Sequence, residues 1–145
     1  MVRMIAMAGV LLTMGCNGPL PFMSAGTLAG EEQPAPPDWT FAEDFAVVQL
    51  ETRPEDPYSV NIWGVGIGVD FYVASGKAAN TWSENIAADD RVRLRVGKAI
   101  YEMRALREDS PEGRKRFLAA AKTKYEFDPD PDEVSDAILY RLVPR

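Results

Sequence analysis

The stretch Arg91-Val92-Arg93-Leu94-Arg95-Val96 constrains the fold most, because charged and apolar residues alternate strictly over six positions. A period of two puts Val92, Leu94 and Val96 on one side of an extended chain and the arginines on the other; a helix would scatter them around its circumference. Gly97-Lys98 follows as a turn. Ala99 to Glu108 then returns as an antiparallel partner, with Glu102 and Arg104 beside the arginines. The same reasoning predicts a strand over Phe45–Thr52 that stops at the turn Arg53-Pro54-Glu55-Asp56-Pro57. It also predicts a hairpin from Tyr58–Val65 and Val69–Ala74 and a last strand over Ala137–Val143. Asn80 to Ala88 reads as a short helix capped by Asn80 or Thr81, with Trp82, Asn85 and Ile86 on one side. Ser110-Pro111 opens a second helix, whose apolar face is Phe117, Leu118, Ala121 and Tyr125. The order β-β-β-α-β-β-α-β, with most strands joined as hairpins, predicts a mainly β domain: a six-stranded antiparallel barrel with two helices packed outside.

The N-terminus belongs to a different design. Arg3 supplies one positive charge and Ile5 to Met14 is an unbroken run of small and apolar residues. A stable span takes roughly 20 apolar residues, so this run is too short for one, but it suits the core of a secretory signal. It leads into Leu12-Thr13-Met14-Gly15-Cys16, which holds the chain's one cysteine. This resembles the lipobox of bacterial lipoproteins, in which a small residue precedes a cysteine that is lipidated on sulfur and becomes the new N-terminus. Thr13 stands where that pattern usually has Leu. The resemblance implies a signal peptide over 1–15 and a membrane tether through acylated Cys16, where each buried methylene contributes about 0.8 kcal/mol. It also implies export to the outer face of the bacterial inner membrane or to the outer membrane. Residues 16–37, rich in Pro, Gly and small side chains without an apolar period, are expected to form a flexible tether, and residues 38–145 the folded domain. A lone cysteine excludes a disulfide within the chain.

Charge is unevenly placed. The chain is acidic overall, with a formal net charge of -6, yet Arg91 to Lys124 contains eleven basic residues against four acidic ones, and Glu126 to Asp136 contains six acids and no base. The basic stretch is either a site for an anionic small molecule or a set of solvated faces with local ion pairs. Nucleic acid is not an expected partner, since the overall balance repels a polyanion. There is no histidine, so Ser-His-Asp and Cys-His catalysis and His-ligated metal centres are excluded. Asp128, Asp130, Asp132 and Glu133 alternate like a calcium loop, but Pro129 and Pro131 interrupt it and the glycine is missing. The glycines of Gly64-Val65-Gly66-Ile67-Gly68 lie between two strands with no helix behind them, which excludes a dinucleotide loop.

Trp82, Asn85, Ile86, Ala87, Asp89, Arg91 and Val92, within "TWSENIAADDRVRLRVGKAIYEMRAL", carry a resemblance to deazaflavin-dependent nitroreductases and their uncharacterised relatives. These are members of the split β-barrel superfamily that includes pyridoxamine phosphate oxidases. The likeness extends more weakly from Val47 to the C-terminus. It implies a split β-barrel, a homodimer, and FMN or a deazaflavin as cofactor, with hydride passed to a small acceptor. It also implies that Ser75, Gly76 and Lys77, in the loop after the third strand, face the cofactor's phosphate-bearing side. A glycine there admits close backbone approach, a hydroxyl donates a hydrogen bond and a lysine supplies a point charge. Trp82 is then either a stacking surface for the ring or a core anchor. Arg53 and Arg91 are the candidate phosphate cations. The loop between the first two strands departs from the pattern, because Glu55 and Asp56 repel an anion where relatives carry a basic, glycine-containing turn. A second function class therefore stays open: a non-catalytic lipoprotein module on the same barrel that has lost the cofactor.

Overall fold

The computed structural model describes residues 18–20, 23–76, 79–128, 130 and 136–145; Cys16, the signal peptide and Lys77 lie outside the described residues. The described strands are β1 (Glu31–Glu32), β2 (Val48–Thr52), β3 (Tyr58–Ile62), β4 (Gly64–Ile67), β5 (Asp70–Ala74), β6 (Arg91–Val96), β7 (Ala99–Arg107) and β8 (Leu139–Pro144). Helix α1 (Thr81–Ala88) precedes β6 and α2 (Pro111–Tyr125) follows β7. The strands form one sheet in the order β3-β2-β6-β7-β8-β5-β4, with β1 added in parallel to the start of β7. All the other pairings are antiparallel.

The alternation in β6 does what its period dictates. Val92, Leu94 and Val96 are buried with Leu50, Phe71, Val73, Met103 and Leu142, while the arginines project outward. Trp39, fully buried just before a 3-10 turn over Thr40–Asp44, fills the middle of this core. Both helix starts follow their local signals. Asn80 accepts from the backbone of Ser83, and the Ser83 hydroxyl in turn accepts from the Asn80 N–H. Ser110 accepts from Gly113 ahead of a first-turn proline.

Two departures from the sequence expectation matter for function. The run from Tyr58 to Ile67 is not one arm of a hairpin. It changes partner at Trp63, so that β3 pairs with β2 at one end of the sheet and β4 with β5 at the other. The two edge strands are thus consecutive in the chain, and the curled sheet's edges meet at one residue. Glycines make this close approach possible: an added Cβ at Gly66 would lie 2.5 Å from the Cβ of Trp39, and one at Gly64 would lie 2.5 Å from the Phe71 ring.

The segment expected as a flexible tether is, from Ala25 to Gln33, a strap built across the barrel. Ala25 and Ser59 exchange backbone hydrogen bonds, Glu31 and Gln33 donate to the carbonyls of Lys98 and Ile100, and Leu28 is buried. Beneath it, the Glu51 carboxylate accepts from the Leu28 N–H (2.6 Å) and pairs with Arg93 (3.2 Å). A strap needs no apolar period, because one leucine and a few backbone bonds to groups far along the chain suffice to hold it.

Candidate functional site

The structure does not gather the residues expected to hold a phosphate. Arg53, in a turn at φ 58°, donates through Nε to the Asp56 carbonyl, pairs with the Asp56 carboxylate at 3.1 Å and lies over the Tyr58 ring. Arg91 forks onto Asp89 at 2.6 Å and reaches Glu55 at 3.3 Å. Glu55 and Asp56 therefore neutralise these two cations instead of merely repelling an anion. The rest of the row is likewise engaged: Arg93 with Glu51 and Glu32, and Arg95 with Gln49 and the Gly97 carbonyl. Glu102 stands opposite Arg93 in the β6–β7 ladder, as expected, and its carboxylate pairs with Arg145.

Hydrogen bonds from the Arg91 side chain and backbone hold the Asp89 carboxyl down at about 2. A depressed carboxylate contributes stability above its ordinary value near 3.8 and loses it as the pH falls through 2. Asp89→Asn is therefore expected to flatten the acid limb of a melting-temperature profile over that window, and an unchanged limb would show that the pair does not form.

Trp82 is withdrawn into the core at 6% exposure, edge-on to Tyr140 at 6.0 Å, so its ring presents no free face. Of its two readings, the structure takes the core anchor. Its helix neighbour Asn85 ties α1 to β2 by donating to the Thr52 hydroxyl at 3.0 Å.

Ser75 and Gly76 stand elsewhere, on a cleft of about 250 Å³ between α2 and the strands β4, β5 and β8. Its walls are mostly apolar, with Trp63, Phe117, Leu118 and Tyr125 among them, and Arg114 and Ser75 supply the polar groups. The apolar stripe of α2 read from the sequence forms one side. Trp63 forms the other, stacked on Tyr125 at 4.4 Å and 9°, with Phe127 edge-on at 5.8 Å. The sequence around Trp63 gives no sign of this role, since an isolated aromatic next to a strand does not disclose what faces it.

The floor of this cleft is pinned at Gly64. Its N–H donates to the Tyr125 hydroxyl (3.0 Å), which also lies within hydrogen-bond distance of the Gly64 and Ala46 carbonyls. Lys124 donates to the carbonyls of Ala42 and Gly64. Burial raises the Tyr125 hydroxyl's pKa and lowers that of the Lys124 ammonium. The Arg114 guanidinium donates to the Ala137 carbonyl at 2.9 Å and lies 3.7 Å from Asp109. The Ser75 hydroxyl makes a long bond to the Gly76 carbonyl, 3.3 Å, and its backbone N–H donates to the Ile138 carbonyl at 2.9 Å. Among the described residues no cluster of carboxylates or thiols could hold a metal ion.

No family model matches this sequence, and no curated protein does. Solved structures do. A Listeria innocua protein described as a pyridoxamine 5'-phosphate oxidase superposes with a TM-score of 0.57 at 16% identity, over 72% of this chain and 87% of the other. The chain has the split β-barrel fold. A Bacteroides thetaiotaomicron protein described as a 5-nitroimidazole antibiotic resistance protein gives a TM-score of 0.57 at 11% identity, over 67% and 71% of the two chains. An FAD-binding protein from Mesorhizobium loti gives 0.52 at 15% identity, over 72% and 84%. The split barrel is thus a scaffold on which flavin binding occurs, and at these identities the likeness concerns the scaffold alone. Tested against this chain's residues, a flavin-class group meets a divided answer. The α2 cleft is apolar and aromatic-walled, whereas Arg53 and Arg91 are engaged by acids and are not among its lining residues.

Proposed function

We propose that this split barrel is an exported module, tethered to the membrane through Cys16, that holds a flat aromatic ligand of the flavin or deazaflavin class in the α2 cleft. The observation that carries this reading is the opening of the Ser75-Gly76 loop onto an aromatic-walled cleft. The resemblance had pointed to that loop as the one facing a cofactor. The volume, about 250 Å³, is below the range of roughly 300–1,000 Å³ typical for drug-sized ligands, which favours a ring or mononucleotide over a dinucleotide. When bound, such a ring supplies hydride transfer to a small acceptor. The chain's own part is to exclude water with Trp63, Phe117, Leu118 and Tyr125 and to orient the ligand's polar edge through Ser75 and Arg114.

Because Arg53 and Arg91 are engaged by acids, the ring and not the phosphate carries affinity in this reading. Titration of the purified chain by flavin fluorescence is expected to give riboflavin and FMN similar dissociation constants. A charge-assisted phosphate contact would add about 1.5–3 kcal/mol, roughly 10- to 150-fold, to FMN alone. A preference of that size, abolished by Lys77→Ala, would return the phosphate to the Ser75-Gly76-Lys77 loop. Binding of neither flavin nor a deazaflavin would leave the second reading, a barrel that has lost its cofactor.

A further inference from the structure

The start of the described chain is fastened to one face of the barrel. The Asn61 side-chain amide donates to the carbonyls of Pro19 (3.0 Å) and Leu20 (2.9 Å). Gly18 lies so close to Gln49 and Arg95 that an added Cβ would stand 2.9 Å from the Gln49 Oε1. Cys16 precedes Gly18 by two residues, at most about 7 Å of extended chain. An acyl group on Cys16 would therefore enter the bilayer beside this face, with no long leash between them.

The same face carries exposed apolar side chains. Gln49 pairs with Asn61, and Val48 with Ile62. Val47 and Trp63 are the next residues along the chain beyond the Val48–Ile62 pair. Val47 also shares a surface hollow with Gln49, Asn61 and Arg95. Leu20, Met23, Val47 and Trp63 are each at least half exposed. Tryptophan favours the membrane–water interface, where its ring meets apolar and polar surroundings together. The chain's net charge of -6 gives no general attraction to an anionic surface, so contact rests on these apolar groups and the anchor.

We infer that the barrel lies against the lipid surface on the face bearing Leu20, Met23, Val47 and Trp63, instead of swinging on a flexible tether. This rests on the reading of Cys16 as the lipid anchor. Since Trp63 also lines the α2 cleft, the aromatic rim of the cleft sits at the lipid boundary.

The three tryptophans give a selective test, because Trp39 and Trp82 are buried and Trp63 is 55% exposed. The full-length lipidated chain is reconstituted in phosphatidylcholine vesicles with and without brominated phosphatidylcholine, and tryptophan emission is recorded. Loss of most of the Trp63 emission to the bromolipid is expected, with no such loss in Trp63→Phe. A Met23→Glu, Val47→Glu double variant is expected to recover the emission while still floating with the vesicles. A wild-type chain that floats, but whose Trp63 is quenched by aqueous acrylamide and not by bromolipid, overturns the orientation and leaves the anchor standing. A chain that does not float at all overturns the anchor and the orientation with it.

Discussion

Trp39→Ala is expected to destabilise the barrel by about 3–5 kcal/mol, the range for truncating a fully buried aromatic. Trp39 has no exposed surface, and its ring meets Phe71 edge-on at 5.1 Å and Tyr101 at 4.9 Å. Its backbone N–H also donates to the Gly68 carbonyl at the β4–β5 turn. Removing the indole opens a cavity against the Phe71 and Tyr101 rings. The cavity lies in the middle of the curled sheet and not at its rim, so little collapse is available to reduce the cost. Urea unfolding would show a lower midpoint with an unchanged slope. Trp39→Phe, which retains an aromatic body, should lose less. A loss below about 1 kcal/mol for Trp39→Ala would mean that the indole does not occupy this position, since buried large-to-small changes do not come so cheaply.

The second large effect is expected at the strap. The Glu51 side chain is only 5% exposed, and it joins three elements by accepting from Leu28 and from Arg93. Breaking a buried pair by removing one partner costs about 3–5 kcal/mol, because the other charge is left uncompensated. For Glu51→Ala the lower end applies, since Arg93 keeps a contact to the exposed Glu32 and some access to water. The distinguishing readout is local: hydrogen exchange at the Leu28 amide and proteolysis between Ala25 and Gln33 should both accelerate, with the β6–β7 hairpin still protected. In a double-mutant cycle with Arg93→Ala, the combined loss should fall short of the sum. A strap equally protected in Glu51→Ala would show that Leu28 alone holds it.

What the sequence disclosed and what it withheld divide along the range of the interactions concerned. The inward set of β6 and the caps at Asn80 and Ser110 depend on neighbours within a few residues, and the structure has them where the pattern put them. The partner change at Trp63 depends on where both edges of the sheet arrive, which no window around Trp63 contains. Leu28 looks like one aliphatic residue in a loop, and its burial is decided by Glu51 and Arg93, 23 and 65 residues away. Glu55 looked hostile to an anion because its partner Arg91 lies 36 residues further on. The cleft was half legible: the stripe of α2 was visible as a helix face, but the wall opposite it is fixed by bonds between Gly64 and Tyr125, 61 residues apart. Ser75 and Gly76 border the apolar α2 cleft, whereas Arg91 lines polar hollows on another part of the barrel.

If the α2 cleft is the ligand site, a side chain that fills it should displace the ligand. Riboflavin is titrated against the wild-type chain and against Leu118→Trp and Ala121→Phe, two separate variants whose added rings project from the cleft wall formed by α2. Binding by the wild type is expected, weakened at least tenfold, about 1.4 kcal/mol, in whichever variant keeps a cooperative melting curve. Equal affinity in the wild type and a folded variant would contradict this expectation and move the site elsewhere on the barrel.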